Sequence, residues 1–140
     1  MIIKELLCES ADQSMSDHKD NFMDMFKKFI PLAMHYIELD SLPEVEFLST
    51  VDDDEQPTFG RFDTNENKLT VALMNRHPND ILRTLAHELV HYKQSVENKL
   101  NNDSGQTGSP EENQAHQIAG VVMRHFNKQY PEFLKSKPIT

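Results

Sequence analysis

The chain contains a single cysteine, Cys8, among its 140 residues. One thiol cannot form an internal disulfide, and it excludes the finger and ribbon zinc sites that are built from several thiolates. A free thiol fits a reducing compartment. The sequence also lacks the run of about 20 apolar residues that a membrane helix needs and, at its start, the apolar segment of a signal peptide. We therefore expect a soluble, cytoplasmic protein with no membrane partner.

Positive charge is scarce, with 14 lysines and arginines against 23 aspartates and glutamates and a net charge of −9. A chain of this charge is repelled by nucleic acid and by anionic membranes. The densest basic stretch is only Lys27-Lys28, so no nucleic-acid partner is expected. The acidic segment 51–57 lacks the ligand spacing and the central glycine of an EF-hand loop. It is predicted to be a solvated turn.

Length and composition predict one compact domain. A chain of 140 residues can bury a core but is too short for two domains. Apolar residues make up 37% and charged residues 26%, which is typical of a globular protein. We expect a loosely ordered lead-in at 1–20, the folded domain at 21–130 and a tail at 131–140. Nothing in the sequence indicates the oligomeric state.

Apolar periodicity predicts an α+β fold in which one helix precedes three strands and two helices follow them. Apolar residues at spacings of three and four mark the helices, and alternating apolar residues mark the strands. The predicted elements are, in chain order, a helix at 21–39, strands at 45–47, 58–62 and 68–73, and helices at 79–98 and 110–130. The second and third strands are expected to form a hairpin.

Prolines and capping residues set the predicted ends of the helices. Pro31 is expected to kink or restart the first helix. Asn79 or Asp80 is the predicted cap of the second helix, and Pro110 with the acids after it opens the third. The polar segment 101–109 between these two helices is predicted to be a mobile loop that borders the functional cleft.

The second predicted helix contains the HExxH pattern, His87-Glu88-Leu89-Val90-His91. Residues four apart lie on the same face of a helix, so both imidazoles can reach one metal ion. Glu88 lies about 100° around the helix from His87, beside the metal but outside its ligand positions, which suits a general base. The motif lies in a strongly apolar stretch where unpaired charge is costly, and this argues against a chance pattern on a surface helix.

A catalytic zinc site needs three protein ligands and one open position. The metzincin pattern is excluded, because its glycine and histidine positions hold Gln94 and Glu97 here. A carboxylate of the third helix is the alternative. Glu112 is favoured over its neighbour Glu111, since only one of the two can face the metal from a helix, and Asp103 is a weaker candidate in the loop.

His116 lies one helical turn beyond Glu112 on the same face. It is a candidate for contacting the oxyanion of a transition state, for serving as an alternative ligand, or for only supporting the site from outside. The remaining histidines show no ligand spacing and are predicted to be structural or exposed: His18, His35, His77 and His125.

The run HELVH, with Glu112 and Ala115 downstream, resembles the gluzincin branch of the zincin metallopeptidases. The element order is similar to that of minimal zincin domains, and the resemblance covers residues 20–128. It implies a minimal zincin fold and Zn²⁺ bound by His87, His91 and Glu112. In zincins a strand that precedes the motif usually offers its edge to an extended substrate, and this would be the strand at 68–73.

The resemblance also implies peptide-bond hydrolysis, with Glu88 as general base and a peptide or protein as substrate. An endopeptidase is favoured over an exopeptidase. The main alternative is a non-catalytic zincin-like protein that binds zinc and acts as a regulatory or interaction module, with His116 as a fourth ligand. Glu88 favours the enzyme, because a structural zinc site has no need of a base. A metal-free scaffold component would require the motif to be accidental.

Overall fold

The computed structural model describes residues 3–5, 13–53, 56–97 and 109–138. These residues form three α-helices, one short 3-10 helix and six strands. Their order along the chain is β1, α1, β2 to β6, α2, α3 and then the 3-10 helix. The helices are α1 (Gln13–Ile37), α2 (Pro78–Val96) and α3 (Pro110–Gln129), with the 3-10 helix at Pro131–Lys135. The strands are β1 (Ile3–Glu5), β2 (Glu44–Leu48), β3 (Val51–Asp53), β4 (Gln56–Thr58), β5 (Gly60–Asp63) and β6 (Lys68–Ala72).

The main sheet has the strand order β1-β2-β6-β5. β1, β2 and β6 are parallel to one another, and β5 is antiparallel to β6. The mixed α and β class is therefore as predicted, and β2, β5 and β6 correspond to the three predicted strands. The predicted strand at 58–62 is divided, however, because Thr58 ends β4 of a separate two-stranded sheet and β5 begins at Gly60. β1 adds a fourth strand that the sequence did not indicate. β6 lies between β2 and β5, so the expectation that residues 68–73 offer a sheet edge to a substrate is wrong.

One face of the sheet packs against the helices. Val45 and Phe47 of β2 and Leu69 and Val71 of β6 alternate with partly exposed residues and are fully buried. The ring of Phe47 receives Phe22 and Phe26 of α1 edge-to-face, at ring-centroid distances of 5.2 and 5.4 Å. This arrangement is favourable for aromatic pairs, and it fixes α1 across the centre of the sheet. α1 runs on through Pro31 as one helix.

The N-cap of α2 lies two residues before Asn79, the nearer of the two predicted caps. His77 is the N-cap, and its ring nitrogen Nδ1 accepts a hydrogen bond of 3.0 Å from the backbone N–H of Asn79. Pro78 takes the first helical position, where its missing N–H costs nothing, and so it moves the start towards His77. Pro78, Tyr92 and Gln94 are buried together with the apolar stretch around the HExxH pattern, which consists of Ile81, Leu82, Leu85, Ala86, Leu89 and Val90.

Three other segments differ from the predictions. Within the acidic segment expected to be a turn, β3 and β4 pair as an antiparallel ribbon, with Asp52 opposite Pro57. α1 begins at Gln13 rather than at residue 21, so part of the predicted lead-in is helical. The predicted tail opens with the 3-10 helix, whose Phe133 is buried against the ring of Phe126 at 5.9 Å. None of the described helices combines the length and apolarity needed to cross a bilayer.

Candidate metal centre

α2 presents two imidazoles side by side to one end of α3. The rings of His87 and His91 lie 4.9 Å apart at an angle of 79°, as the one-turn spacing requires. Their side chains are largely buried, with exposed fractions of 16% and 12%. Because the apolar face of α2 is anchored in the core, neither ring depends on a flexible loop for its position.

Glu112 comes to both histidines from the first turn of α3. Ser109 caps this helix, and its hydroxyl accepts a hydrogen bond of 3.1 Å from the backbone N–H of Glu112. One carboxylate oxygen, Oε1, lies 2.7 Å from His87 Nε2, and the other, Oε2, lies 3.1 Å from His91 Nε2. The structure thus brings together the three residues predicted to bind the metal.

The other candidate ligands are placed differently. Glu111 is not part of the group, and its backbone carbonyl is instead engaged by Gln94. Asp103 and residues 101–108 of the predicted loop lie outside the described residues. His116 approaches Glu112 Oε1 at 3.3 Å through Nε2, and its ring centre is 4.5 Å from that of His87. Its side chain is 70% exposed, so it stands at the rim of the group.

Gln94 contacts the site in a way that the sequence did not indicate. Its side chain is 1% exposed and lies between α2 and α3. The amide nitrogen Nε2 donates to the carbonyl of Glu111 at 2.9 Å and to Oε1 of Gln114 at 2.7 Å. With both donors engaged, the amide oxygen Oε1 faces His91 Nδ1 at 2.8 Å. An amide oxygen only accepts hydrogen bonds, so His91 carries a proton on Nδ1.

This tautomer decides what the opposite nitrogen of His91 can do. In the neutral ring a proton on Nδ1 leaves Nε2 with a lone pair, and that lone pair points at Glu112 Oε2, 3.1 Å away. Two acceptors face each other at this distance only if a second proton or a cation lies between them. Metal-binding histidines are commonly oriented in this way, by a hydrogen bond on the nitrogen that does not bind the metal.

The donor atoms also have the spacing of a metal site. One nitrogen from each histidine and one carboxylate oxygen all lie within 4.8 Å of one another. Around a tetrahedral zinc, with bonds of about 2.0–2.1 Å, ligand atoms stand about 3.3 Å apart. The distances from the Glu112 carboxylate oxygens to Nε2 of His87 and of His91, 2.7 and 3.1 Å, are slightly shorter than this. A small outward movement of the carboxylate would therefore make room for the ion. The residues therefore fit zinc.

The surroundings of His87 favour its neutral imidazole form. Burial lowers the pKa of His87 below its usual value, and the charges of His91 and His116 act in the same direction, while Glu112 opposes them. Desolvation disfavours the imidazolium, and a neutral imidazole is the form that ligates a metal.

His87, His91 and Glu112 line a cleft of about 550 Å³ between β5 and α2. β5 is the last strand of the sheet on this side, and among the described residues no strand pairs with its outer edge. Its backbone comes very close to α2, because a Cβ added at Gly60 would lie 2.5 Å from Thr84 Cγ2 and 3.2 Å from Glu88 Cγ. Glu88 also lines the cleft, next to the two histidines and outside the ligand group.

Arg76 contacts two residues of the cleft wall, Thr84 and Phe59. Its guanidinium donates to the carbonyls of Ala72 at 2.8 Å and Asp80 at 3.1 Å, and to the hydroxyl of Thr84 at 2.6 Å. The same group lies 4.2 Å from the ring centre of Phe59, which is 65% exposed on the cleft wall. No sequence signal pointed to this cluster, because its members come from three elements that only the fold brings together.

Comparisons with protein-family models, with curated proteins and with solved structures find no match for the chain. The functional assignment therefore depends on the chemistry of the cleft itself.

Proposed function

We propose that the protein is a zinc-dependent metallopeptidase of the zincin type, with a gluzincin-like ligand set. The observation that carries the proposal is the convergence of His87, His91 and Glu112 in a cleft that Glu88 also lines. Two histidines and a glutamate are a ligand set of catalytic zinc, and they leave a position open. A structural site would more often be closed by a fourth protein ligand.

Zinc bound to these three residues would supply Lewis-acid activation of water and of the substrate carbonyl. Glu88 supplies the base. It lies in the cleft, close to the histidines but outside the ligand group, so it can take a proton from the attacking water and pass it to the leaving amine. His116, at the rim, is placed to donate a hydrogen bond to the oxyanion that develops on the carbonyl.

The edge of β5 is the proposed binding surface for the peptide. An extended peptide can add to an exposed strand edge through backbone hydrogen bonds, and β5 is the edge strand that lines the cleft. This mode of binding uses the substrate's backbone rather than its terminus, and it therefore favours an endopeptidase. It also replaces the strand at 68–73 that the sequence suggested.

The test is Glu88→Gln, with Glu132→Gln as a matched control on the exposed 3-10 helix. The amide keeps the shape of the side chain but cannot accept a proton. Turnover of a casein or peptide-library substrate should therefore fall by about 10²–10⁴-fold, while zinc content and melting temperature stay at parental values. Glu132→Gln should cleave like the parent. Parental cleavage by Glu88→Gln would exclude the proposed mechanism.

The position of His116 favours a second candidate function. Its Nε2 lies 3.3 Å from Glu112, close enough for a small movement to make it a fourth ligand and close the site. The protein would then be a zinc-stabilised regulatory or protein-interaction module. In that case no substrate is cleaved by the parent, and His116→Ala lowers zinc affinity as strongly as His91→Ala does.

A further inference from the structure

Two arginines line the cleft, although the chain as a whole is acidic. The chain has a net charge of −9, yet Arg61 and Arg83 both line the cleft, one from β5 and one from α2. The carboxylates among the lining residues are Glu88 and Glu112, and the latter is already paired with both ligand histidines. The guanidinium of Arg83, on the α2 wall, is a positive charge that attracts an anion to this part of the cleft.

The arginines around the cleft differ in what they contact. Arg76 is fully engaged with backbone carbonyls and with Thr84. Arg61 pairs with Asp63 at 3.6 Å. The side chain of Arg83 is exposed and makes no hydrogen bond or ion pair with any residue whose side chain the structure describes. Its guanidinium is therefore available to a ligand, and a guanidinium fork matches a carboxylate with two parallel hydrogen bonds.

The position of Arg83 sets where that carboxylate would lie. Arg83 precedes His87 by four residues, which is about 6 Å along α2. An extended peptide advances about 3.3 Å per residue. A group bound by Arg83 would therefore belong to a residue about one or two positions away from the carbonyl at the zinc.

We propose that Arg83 binds a carboxylate of the substrate, so that the protein selects peptides with negative charge beside the scissile bond. This inference rests on the proposed peptidase function and adds its substrate class. The carboxylate belongs either to an acidic side chain or to the carboxyl terminus of the substrate, since both present the same group to the guanidinium. The two sources are separated by the choice of peptides.

The test uses three fluorescent peptides of one sequence and the zinc-loaded protein. The first has Glu beside the central bond and an amidated end, the second has Gln there and an amidated end, and the third has Gln there and a free terminal carboxylate. Binding is measured by fluorescence anisotropy with the zinc-loaded Glu88→Gln protein, and cleavage is measured with the parent. A preference of about five- to tenfold over the second peptide is expected for the first or the third, as suits a partly exposed charge-assisted pair.

Two variants of Arg83 and one control variant show whether the preference depends on Arg83. Arg83→Gln should abolish it, whereas Arg124→Gln, an exposed arginine of α3 outside the cleft, should keep it. Arg83→Glu should reverse it, so that a fourth peptide with Lys beside the central bond binds better than the one with Glu. A role in folding alone would not produce such a reversal.

The outcomes separate this inference from the proposed function. An Arg83-dependent preference in binding without any cleavage supports the carboxylate site and contradicts the peptidase. Cleavage that depends on Glu88 but is equal for all peptides supports the peptidase and overturns the carboxylate site. Absence of binding by every peptide also overturns it, as does a preference that survives in Arg83→Gln.

Discussion

The side-chain amide of Gln94 makes three hydrogen bonds at the junction of α2 and α3. Two of them attach it to the first turns of α3, through the carbonyl of Glu111 and the side chain of Gln114. The third fixes the ring of His91. One buried residue therefore orients a proposed ligand of α2 and, through the backbone, the helix end that carries Glu112.

Replacement of Gln94 tests this positioning role. Gln94→Leu keeps the size of the side chain but leaves His91 Nδ1 without its acceptor and two groups of α3 without a donor. Zinc affinity should fall by about 10–100-fold, the range found when groups that support metal ligands are removed. A competition titration with a chromophoric chelator measures it. Gln117→Leu, on the exposed side of α3, should bind zinc like the parent, and an equal affinity in Gln94→Leu would exclude the role.

The lowered pKa of His87 predicts a pH dependence of the metal-free protein. Burial lowers the pKa of this imidazole below its usual value of 6.5, so the unfolded chain takes up the proton more readily than the folded one. Stability should therefore be full above about pH 6.5 and be lost as the pH falls towards the lower folded pKa. Urea unfolding from about pH 5 to pH 8 measures the effect. His87→Gln should flatten this slope, and His125→Gln, outside the cleft, should not; equal slopes in all three would contradict the assignment.

The sequence predicts those residues of the site whose relative positions are set within a single helix. His87 and His91 are fixed by helical spacing, and Glu88 by its place between them. Gln94 has the same helical origin, yet its role depends on Glu111 and on the neighbouring Gln114, which the sequence does not place against it. The sequence feature that could have indicated Gln94 is its position. It is a polar residue about one turn after His91, on a face of α2 that is buried.

At the scale of elements, the contact between β5 and α2 requires a residue without a side chain, Gly60. A Cβ at Gly60 would lie 2.5 Å from Thr84 Cγ2. Thr84 cannot easily turn away, because its hydroxyl accepts from Arg76 at 2.6 Å and donates to the carbonyl of Asp80 at 3.1 Å. The strand and the helix therefore approach as closely as they do only with glycine at this position.

Gly60→Ala should destabilise the protein by about 1–3 kcal/mol, as overpacking does, and should displace Glu88, whose Cγ is 3.2 Å from the added atom. Gly120→Ala is the matched control. It lies inside α3 with nothing within 4 Å of an added Cβ, so it should stabilise by about 0.5–1 kcal/mol. Urea unfolding measures both. A Gly60→Ala protein as stable as the parent would show that β5 and α2 can separate without cost.

Elements with long apolar periodicity were predictable, and short or tertiary ones were not. α2 and α3 are long amphipathic helices with proline near their starts, and the sequence locates both. β1 has three residues, too few for an alternating pattern, and it exists through its pairing with β2. The position of β6 inside the sheet was also beyond local reasoning, because strand order is decided by which strands pair rather than by the strands themselves.

For the whole molecule, the proposed zinc joins two helices that are otherwise held by packing. With His87 and His91 on α2 and Glu112 on α3, a bound ion stabilises the folded state alone. At a zinc concentration of about 1,000 times Kd this amounts to about 4 kcal/mol, or about 10 °C in Tm for a domain of this size. Calorimetry with and without a chelator measures the shift.

Neighbouring glutamates provide the control for this prediction. Glu112→Ala should lose most of the chelator-dependent shift in Tm, because a ligand is removed. Glu111→Ala should retain it, since Gln94 contacts only the backbone carbonyl of that residue. Equal shifts in the two variants would show that Glu112 is not a ligand.

A sheet edge that can receive a peptide can also receive another copy of the same chain. β5 limits this hazard by being short and by carrying charges of both signs, Arg61 and Asp63, among its four residues. Charges on a short edge strand oppose the growth of a continuous sheet between molecules, and a net charge of −9 on every copy adds a general repulsion. The molecule thereby keeps an edge open to extended chains while resisting polymerisation at high concentration.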